Sequence, residues 1–346
     1  MIMNIDFKVS VRCMTYNQAA YIEDAMNGFC MQQTDFPFVC NVMDDASTDG
    51  EQEIIYKYLD SHFDLEENNL IKKEETDDYK LIFARHKENK NCYFAVFFLK
   101  YNHYNNQRLT TKKLQYLSKW ENNAKYIALC EGDDFWIDKC KLQKQYDSLE
   151  NNSDYSFVYT GFYIVNQNGT IQHEVEIEDR MKKSHSGILF FDLLVNMNHI
   201  MTMTTFFRSR ALKDLQSFYY DYGIFLTAAR QGLACYLPER TSCYRINPTS
   251  IMNTAPNILL PKMYKIVNIE VNRCLGCNTT SSIIKDHCVC RKVLAYICVR
   301  YINKSTCRLA YLQTLLKHPS LWIYAIESVI IRVFWDEKFR ISLKKL

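Results

Sequence analysis

Apolar positions along the chain follow two rhythms, short unbroken runs and longer stretches recurring every three or four residues, and over the first 150 residues the two alternate. Phe7 to Cys13 is the first run, and Ile22, Met26 and Phe29 then recur at helical spacing. Phe38 to Met43 is the second run and stops at Asp44-Asp45. Ser47 or Thr48 is placed to cap a helix continuing through Ile54, Ile55 and Leu59. Cys92 to Leu99 and Tyr126 to Cys130 are two further runs. The latter ends at Glu131-Gly132-Asp133-Asp134, and Leu142, Tyr146 and Leu149 mark the helix behind it. Runs alternating with helices predict an α/β fold, Rossmann-like, with a mostly parallel central sheet flanked by helices. Phe157 to Val165 followed by Asn168-Gly169 predicts a hairpin. The pattern stays mixed through Arg245 and becomes mainly helical after about residue 256, which predicts a helical C-terminal extension. The segments so defined are 1–150, 151–255 and 256–346. No internal repeat and no low-complexity tract interrupts them.

With 346 residues the chain has room for two compact units, or one large domain with an appendage. Forty-two Lys and Arg against 39 Asp and Glu leave a formal charge of only +3, which does not favour nucleic acid as a partner. No basic region with an apolar run and cleavage site follows Met1, so a cytoplasmic protein is expected, with its 14 Cys mostly reduced and buried. Cys274-x-x-Cys277 with His287-Cys288-Val289-Cys290 has the ligand types of a zinc site but lacks the usual second spacer. Leu321 to Phe334 is too short to span a bilayer and carries Glu327 and Arg332. That segment either packs on its own domain or, with Lys338, Arg340, Lys344 and Lys345 behind it, makes peripheral contact with an anionic membrane face. Oligomeric state is open at this level.

Two predicted strands end in acidic clusters. Ligand sites of open α/β sheets lie just beyond the carboxyl ends of strands. Either cluster alone reads as solvated turn residues, whereas two of them on one parallel sheet converge on a single crevice.

Four segments carry a resemblance. Val9-Ser10-Val11-Arg12-Cys13-Met14-Thr15-Tyr16-Asn17 and Val42-Met43-Asp44-Asp45-Ala46-Ser47-Thr48-Asp49-Gly50 are the first two. The third is Cys130-Glu131-Gly132-Asp133-Asp134-Phe135-Trp136 with Lys141-Leu142-Gln143-Lys144-Gln145 behind it. The fourth runs from Tyr220-Asp221-Tyr222 through Tyr236-Leu237-Pro238-Glu239 to Tyr244-Arg245-Ile246-Asn247-Pro248. In this order they resemble glycosyltransferase family 2, which has the A-type nucleotide-sugar-binding fold, and in particular a bacterial surface-glycan branch. The resemblance extends to about residue 250. Ala46 stands where the family has Gly, Glu131 where it has Asp, and Asn247 where it often has His.

The resemblance implies an inverting transferase that takes a sugar from a nucleotide-sugar donor to a glycan or lipid-linked acceptor with Mn2+ or Mg2+. It implies Asp133 as the metal ligand, Asp134 as an adjacent carboxylate, Glu131 nearer the ribose, and Thr15, Tyr16, Asn17, Asp44 and Asp45 at the nucleotide. Arg108, Lys112 and Lys113 precede the acidic strand within reach of a diphosphate, or are simply solvated. Asp221 is the implied base, with Trp136, Tyr244 and Arg245 on the acceptor side. The first 150 residues would bind the donor and 151–255 the acceptor. The chemistry suits these residue types, since a divalent cation on carboxylate oxygens neutralises a leaving diphosphate. Two other readings stand beside it: a catalytically silent scaffold that binds nucleotide sugar or glycan, and a sugar nucleotidyltransferase, for which the turn Met14-Thr15-Tyr16-Asn17 lacks the Gly- and Lys/Arg-rich loop. No Gly-x-Ser-x-Gly elbow supports a serine nucleophile.

Overall fold

A computed structural model of the chain describes residues 5–66, 72–104, 107–172, 200–213, 221–248 and 308–329, with short pieces between 178 and 193, at 215 and between 266 and 298. The chain divides into two units, Met1–Gly187 with Asn198–Asn247, and Ile188–Met197 with Pro248–Leu346.

The first unit is built on one sheet. β1 (Val9–Thr15), β2 (Phe38–Asp44), β5 (Cys92–Leu99) and β6 (Tyr126–Leu129) are its parallel centre, in the order β5-β2-β1-β6. The helices that return the chain are α1 (Ile22–Cys30), α2 (Glu51–His62) and α3 (Gln107–Glu121). Every residue of β2 is buried because its alternate side chains serve two cores. Cys40 and Val42 pack with Ile22, Met26 and Phe29 of α1 and Ile55 and Leu59 of α2, while Val39 and Met43 pack with Leu117 and Trp120 of α3. A two-sided core of this kind is what continuous apolar runs encode.

The flanks of the sheet are mixed. β4 (Tyr79–Arg85) pairs with β5 and carries β3 (Lys72–Glu75) at the edge, a pair the sequence pattern did not predict because β3 reads Lys-Lys-Glu-Glu. Charge on an edge strand blocks further pairing. On the other side β10 (Phe206–Arg208) joins β6 to β8 (Tyr155–Val165), antiparallel to both. β8 then pairs in parallel with β11 (Leu233–Arg245), and β11 pairs antiparallel with the two-residue β7 (Phe135–Trp136). The hairpin expected after Val165 forms with β9 (Ile171–Gln172), its turn made by Gly169 at φ 78°. α4 (Lys141–Glu150) and α5 (Asp221–Gln231) complete the unit.

In the second unit α6 (Arg308–Lys317) is followed by a tight turn at Pro319–Leu321 and a helix over 322–329, so the described part of this region is helical as expected. Among the described residues no helix is long and apolar enough to cross a membrane. The nine cysteines described are free thiols and seven are buried. Cys274, Cys277, His287, Cys288 and Cys290 lie outside the described residues.

Candidate active site

The carboxyl ends of β2, β1 and β6 bring the acidic clusters together. Thr15 stands opposite Asp44 in the β1–β2 register. On its other side the chain leaving β6 continues along β1: Cys130 N–H donates to the Arg12 carbonyl and Gly132 N–H to the Met14 carbonyl, both at 3.1 Å. Gly132 is required for this approach, since a Cβ there would lie 2.4 Å from Thr15 Oγ1 and 2.5 Å from Gln18 Oε1. Asp44 and the turn Glu131–Asp134 therefore flank the same residue.

The two turns on the β1–β2 side lock into each other. Asn17 N–H donates to Ser47 Oγ (2.9 Å), Thr48 N–H to Asn17 Oδ1 (2.8 Å) and Ala19 N–H to Asp49 Oδ2 (2.9 Å). Asn17 and Ala46 both take left-handed backbone, φ 53° and 61°. Ala46 thus occupies a conformation that suits Gly, the residue the resemblance expects there. Beneath the turns lies Glu51, fully buried, accepting from Gln18 N–H (2.8 Å), Ser47 Oγ (2.9 Å) and Thr15 Oγ1. Burial raises its carboxyl above the usual range despite these donors.

Tyr16, 46% exposed, holds a flat ring at this edge and is not a core aromatic. Asp44 is fully buried, its Oδ2 accepting from Ser47 N–H (3.2 Å) and Gln52 Nε2, and burial raises its carboxyl. Its Oδ1 is buried and has no hydrogen-bond partner among the described residues. An unpaired buried acceptor is costly, so Oδ1 is suited to a donor brought by a ligand.

Around the second turn the carboxylates crowd. Glu131 titrates well above the usual range through loss of solvent and then the charges of Asp221, Asp134 and Asp133. Asp134 is raised by burial and by Asp133, and Asp133 by burial, which Asn247 and Gln18 oppose. Asp221, the first residue of α5, keeps surface exposed to solvent, yet the protein packed around its carboxyl raises it by desolvation, opposed by the Thr202 hydroxyl and the charge of Arg12. Tyr244 is pushed up to about 12 by desolvation and then by the charges of all four acids. Residues far apart in sequence thus share one negative crevice. Arg12 lies near it, paired with Glu121 at 2.7 Å. Burial works against its charge, but Glu121, and after it Glu131 and Asp221, hold its pKa above the usual value.

Among the described residues no three His, Cys, Asp or Glu side chains form a cation cage by themselves. The donor set fits a cation that shares its shell with phosphate oxygens, the usual mode for Mg2+. Asp133 suits that role, because crowded carboxylates with raised pKa values are relieved by positive charge. Asn247 Nδ2 donates to Asp133 Oδ2 at 3.2 Å, so the amide standing where the resemblance expects His does contact this carboxylate.

Several expected site residues are engaged elsewhere. Asp45 accepts from His103 N–H (2.7 Å), Tyr104 N–H (3.1 Å) and Lys113 Nζ, holding a loop in place. Lys112 donates to Asp78 Oδ2 at 3.1 Å, so neither it nor Lys113 is free for a diphosphate. Arg108 lies in α3, its side chain outside the described residues. Thr15 is buried and bound to Gln18 and Glu51, which makes it a support of the turns. Trp136 is a core residue whose indole N–H donates to the Met203 carbonyl (2.9 Å) against Phe29. Nor is a helix cap supplied by Ser47 or Thr48: Gly50 takes that position, because Ser47 donates to Glu51 instead.

Arg245, expected on the acceptor side, is a clamp. It is 2% exposed. Its Nε donates to the Asp133 carbonyl (3.0 Å), Nη1 to the Gln167 carbonyl (2.6 Å) and Nη2 to Asp24 Oδ2 (2.6 Å), while its own N–H donates to Asp134 Oδ1 (2.9 Å). Tyr21 and Phe135 cover its guanidinium at 4.8 and 5.1 Å. Sequence reading missed Glu51 and Arg12. The signal for Arg12 was present, a lone charge inside the apolar run of β1. Glu51 looked like an ordinary first-turn acid.

No protein family's model matches the sequence. The chain is 26% identical over 250 residues to an uncharacterized protein of Mycobacterium tuberculosis, covering 71% of this chain and 61% of that one. It is 25% identical over 210 residues to an uncharacterized glycosyltransferase of Methanocaldococcus jannaschii, covering 60% and 58%. The chain thus spans about three fifths of these curated relatives. Among solved structures, S. aureus TarS 1–349 in complex with UDP superposes with a TM-score of 0.54 at 17% identity, covering 94% of this chain and 82% of that one. The same TarS fragment with UDP-GlcNAc gives 0.54 at 17%, covering 94% and 81%. At this identity the likeness is one of fold, and the mixed α/β architecture with a parallel sheet centre is the fold shared with these TarS structures.

Proposed function

We propose that the chain is an inverting glycosyltransferase that uses a nucleotide-sugar donor and Mn2+ or Mg2+ to glycosylate a glycan or lipid-linked acceptor in bacterial surface polysaccharide synthesis. The observation that carries the reading is the placement of Asp44 and the Glu131–Asp134 turn on either side of Thr15, at one edge of a parallel sheet. The surface-glycan role rests on the motif resemblance alone, and the TarS complexes with UDP and UDP-GlcNAc lend support to the donor class.

In this reading Tyr16 stacks on the nucleobase and Asp44 Oδ1 accepts from a base or ribose donor. Asp133 holds the cation, Asp134 is held beside it by the Arg245 backbone, and Glu131 lies nearer the ribose. When bound, the cation supplies positive charge to the departing diphosphate. The acceptor oxygen attacks the anomeric carbon from the face opposite the leaving group. Its proton passes to the Asp221 carboxylate, the new C–O bond forms, and the bond to the diphosphate oxygen breaks with its electron pair going to phosphate. Desolvation raises the Asp221 pKa toward a value that suits a base.

Asn247 in place of the expected His favours one second reading, a binding scaffold without turnover. A thermal-shift panel of UDP-, GDP- and CDP-sugars, each with and without Mn2+, tests the main reading. A donor that raises Tm only with the cation and is then turned over supports it, binding without turnover or hydrolysis selects the scaffold, and no shift with any donor rejects both.

A further inference from the structure

The described helices over 308–329 carry a row of exposed apolar side chains. On α6, Leu309 is 73% exposed, and Leu312 and Leu316 continue the same stripe at helical spacing. On the helix over 322–329, Trp322, Ile323, Ile326 and Val329 are exposed. Tyr311 and Leu321 are buried on the other side, together with the polar Thr314 and Ser328. Trp322 Nε1 donates to the Leu315 carbonyl at 2.7 Å, which satisfies its polar tip and leaves the ring apolar. Seven large apolar side chains over 21 residues is far more than a solvated surface carries and marks an interaction face.

Charge identifies the occupant. From residue 300 onward the sequence has nine Lys or Arg against three Asp or Glu, so this segment holds a surplus of six while the chain as a whole carries +3. The rest of the chain is net negative. Two copies of so basic a segment repel each other, and ten residues of α6 make fewer than two heptads, too short for a coiled-coil seam. An anionic surface is attracted instead, and a basic sequence segment that also carries Trp, Leu and Ile has the composition of helices that lie in a bilayer interface. We propose that the exposed face of α6 and residues 322–329 docks on an anionic lipid bilayer. This does not depend on the proposed sugar transfer.

The full chain is floated with vesicles of equal parts phosphatidylcholine and phosphatidylglycerol, or of phosphatidylcholine alone. Binding to the anionic vesicles, weakened about tenfold or more by Leu316→Gln with Ile323→Gln, is expected. Brominated lipid should quench tryptophan fluorescence in the parent chain and do so less in Trp322→Phe, a conservative change that keeps the measurement available if the double variant fails to fold. Absence of binding to anionic vesicles, or binding and quenching indifferent to these substitutions, overturns the proposal. So does a stable dimer that Leu316→Gln dissociates.

Discussion

The guanidinium of Arg245 donates to Asp24 Oδ2 at 2.6 Å, joining the last residue of β11 to the first helix across 221 positions of sequence. Its other bonds end on carbonyls of the acidic turn and of the β8–β9 hairpin. Arg245 is thereby the residue that fixes where Asp133 and Asp134 stand. Half of the Asp24 side chain is exposed, so the ion pair itself is partly screened, and most of the effect lies in the two carbonyls to which the buried guanidinium donates. Arg245→Lys keeps the charge but lacks the fork. It is expected to lose about 2 to 3 kcal/mol in chemical denaturation and to weaken cation-dependent donor binding.

Ala46→Gly is expected to raise stability by about 1 kcal/mol, because Ala46 sits at φ 61° in a region where a Cβ is penalised. Denaturation midpoints of the two proteins check this, and a loss of stability would show that the turn depends on the methyl group.

Asp221→Asn is expected to lower kcat by about 100-fold or more with donor affinity unchanged. The acid limb of the parent's kcat/KM profile should lie above the ordinary carboxylate value of about 3.9, since the folded pKa is raised and the base must be ionised. Activity is therefore lost as pH falls through the raised value. Unchanged turnover in Asp221→Asn would remove Asp221 as the base.

Asp44→Asn should separate stability from binding. The raised pKa means that the Asp44 contribution to stability is fully present below its unfolded pKa and is lost as pH rises through the folded one. Removing the charge should therefore stabilise the chain by up to about 1 kcal/mol at neutral pH and do nothing in acid, while nucleotide affinity falls. Paired melts at the two pH values, with nucleotide titrations, measure both effects.

Much of this architecture could be read from the sequence, for a physical reason. Strands buried on both faces must be apolar throughout, so β2, β5 and β6 announced themselves, and the acids ending β2 and β6 followed from their abrupt stop. β3 was hidden because a charged edge strand has no such run, and β4 offers only the short run Leu81–Ala84 between charged residues. Which carboxylate of each pair faces the crevice was not legible either. Asp44 and Asp45 are adjacent, yet only the structure shows Asp45 tied to His103, Tyr104 and Lys113. Arg245 and Trp136, expected on the acceptor side, are buried and bonded internally, because a one-dimensional pattern does not distinguish a residue facing the crevice from one bracing it.

The most direct test titrates donor nucleotide into the parent chain and into Asp133→Asn by calorimetry, with and without Mn2+. The account predicts that the cation tightens binding to the parent at least tenfold and leaves the folded variant unaffected. Equal tightening in both proteins would contradict it.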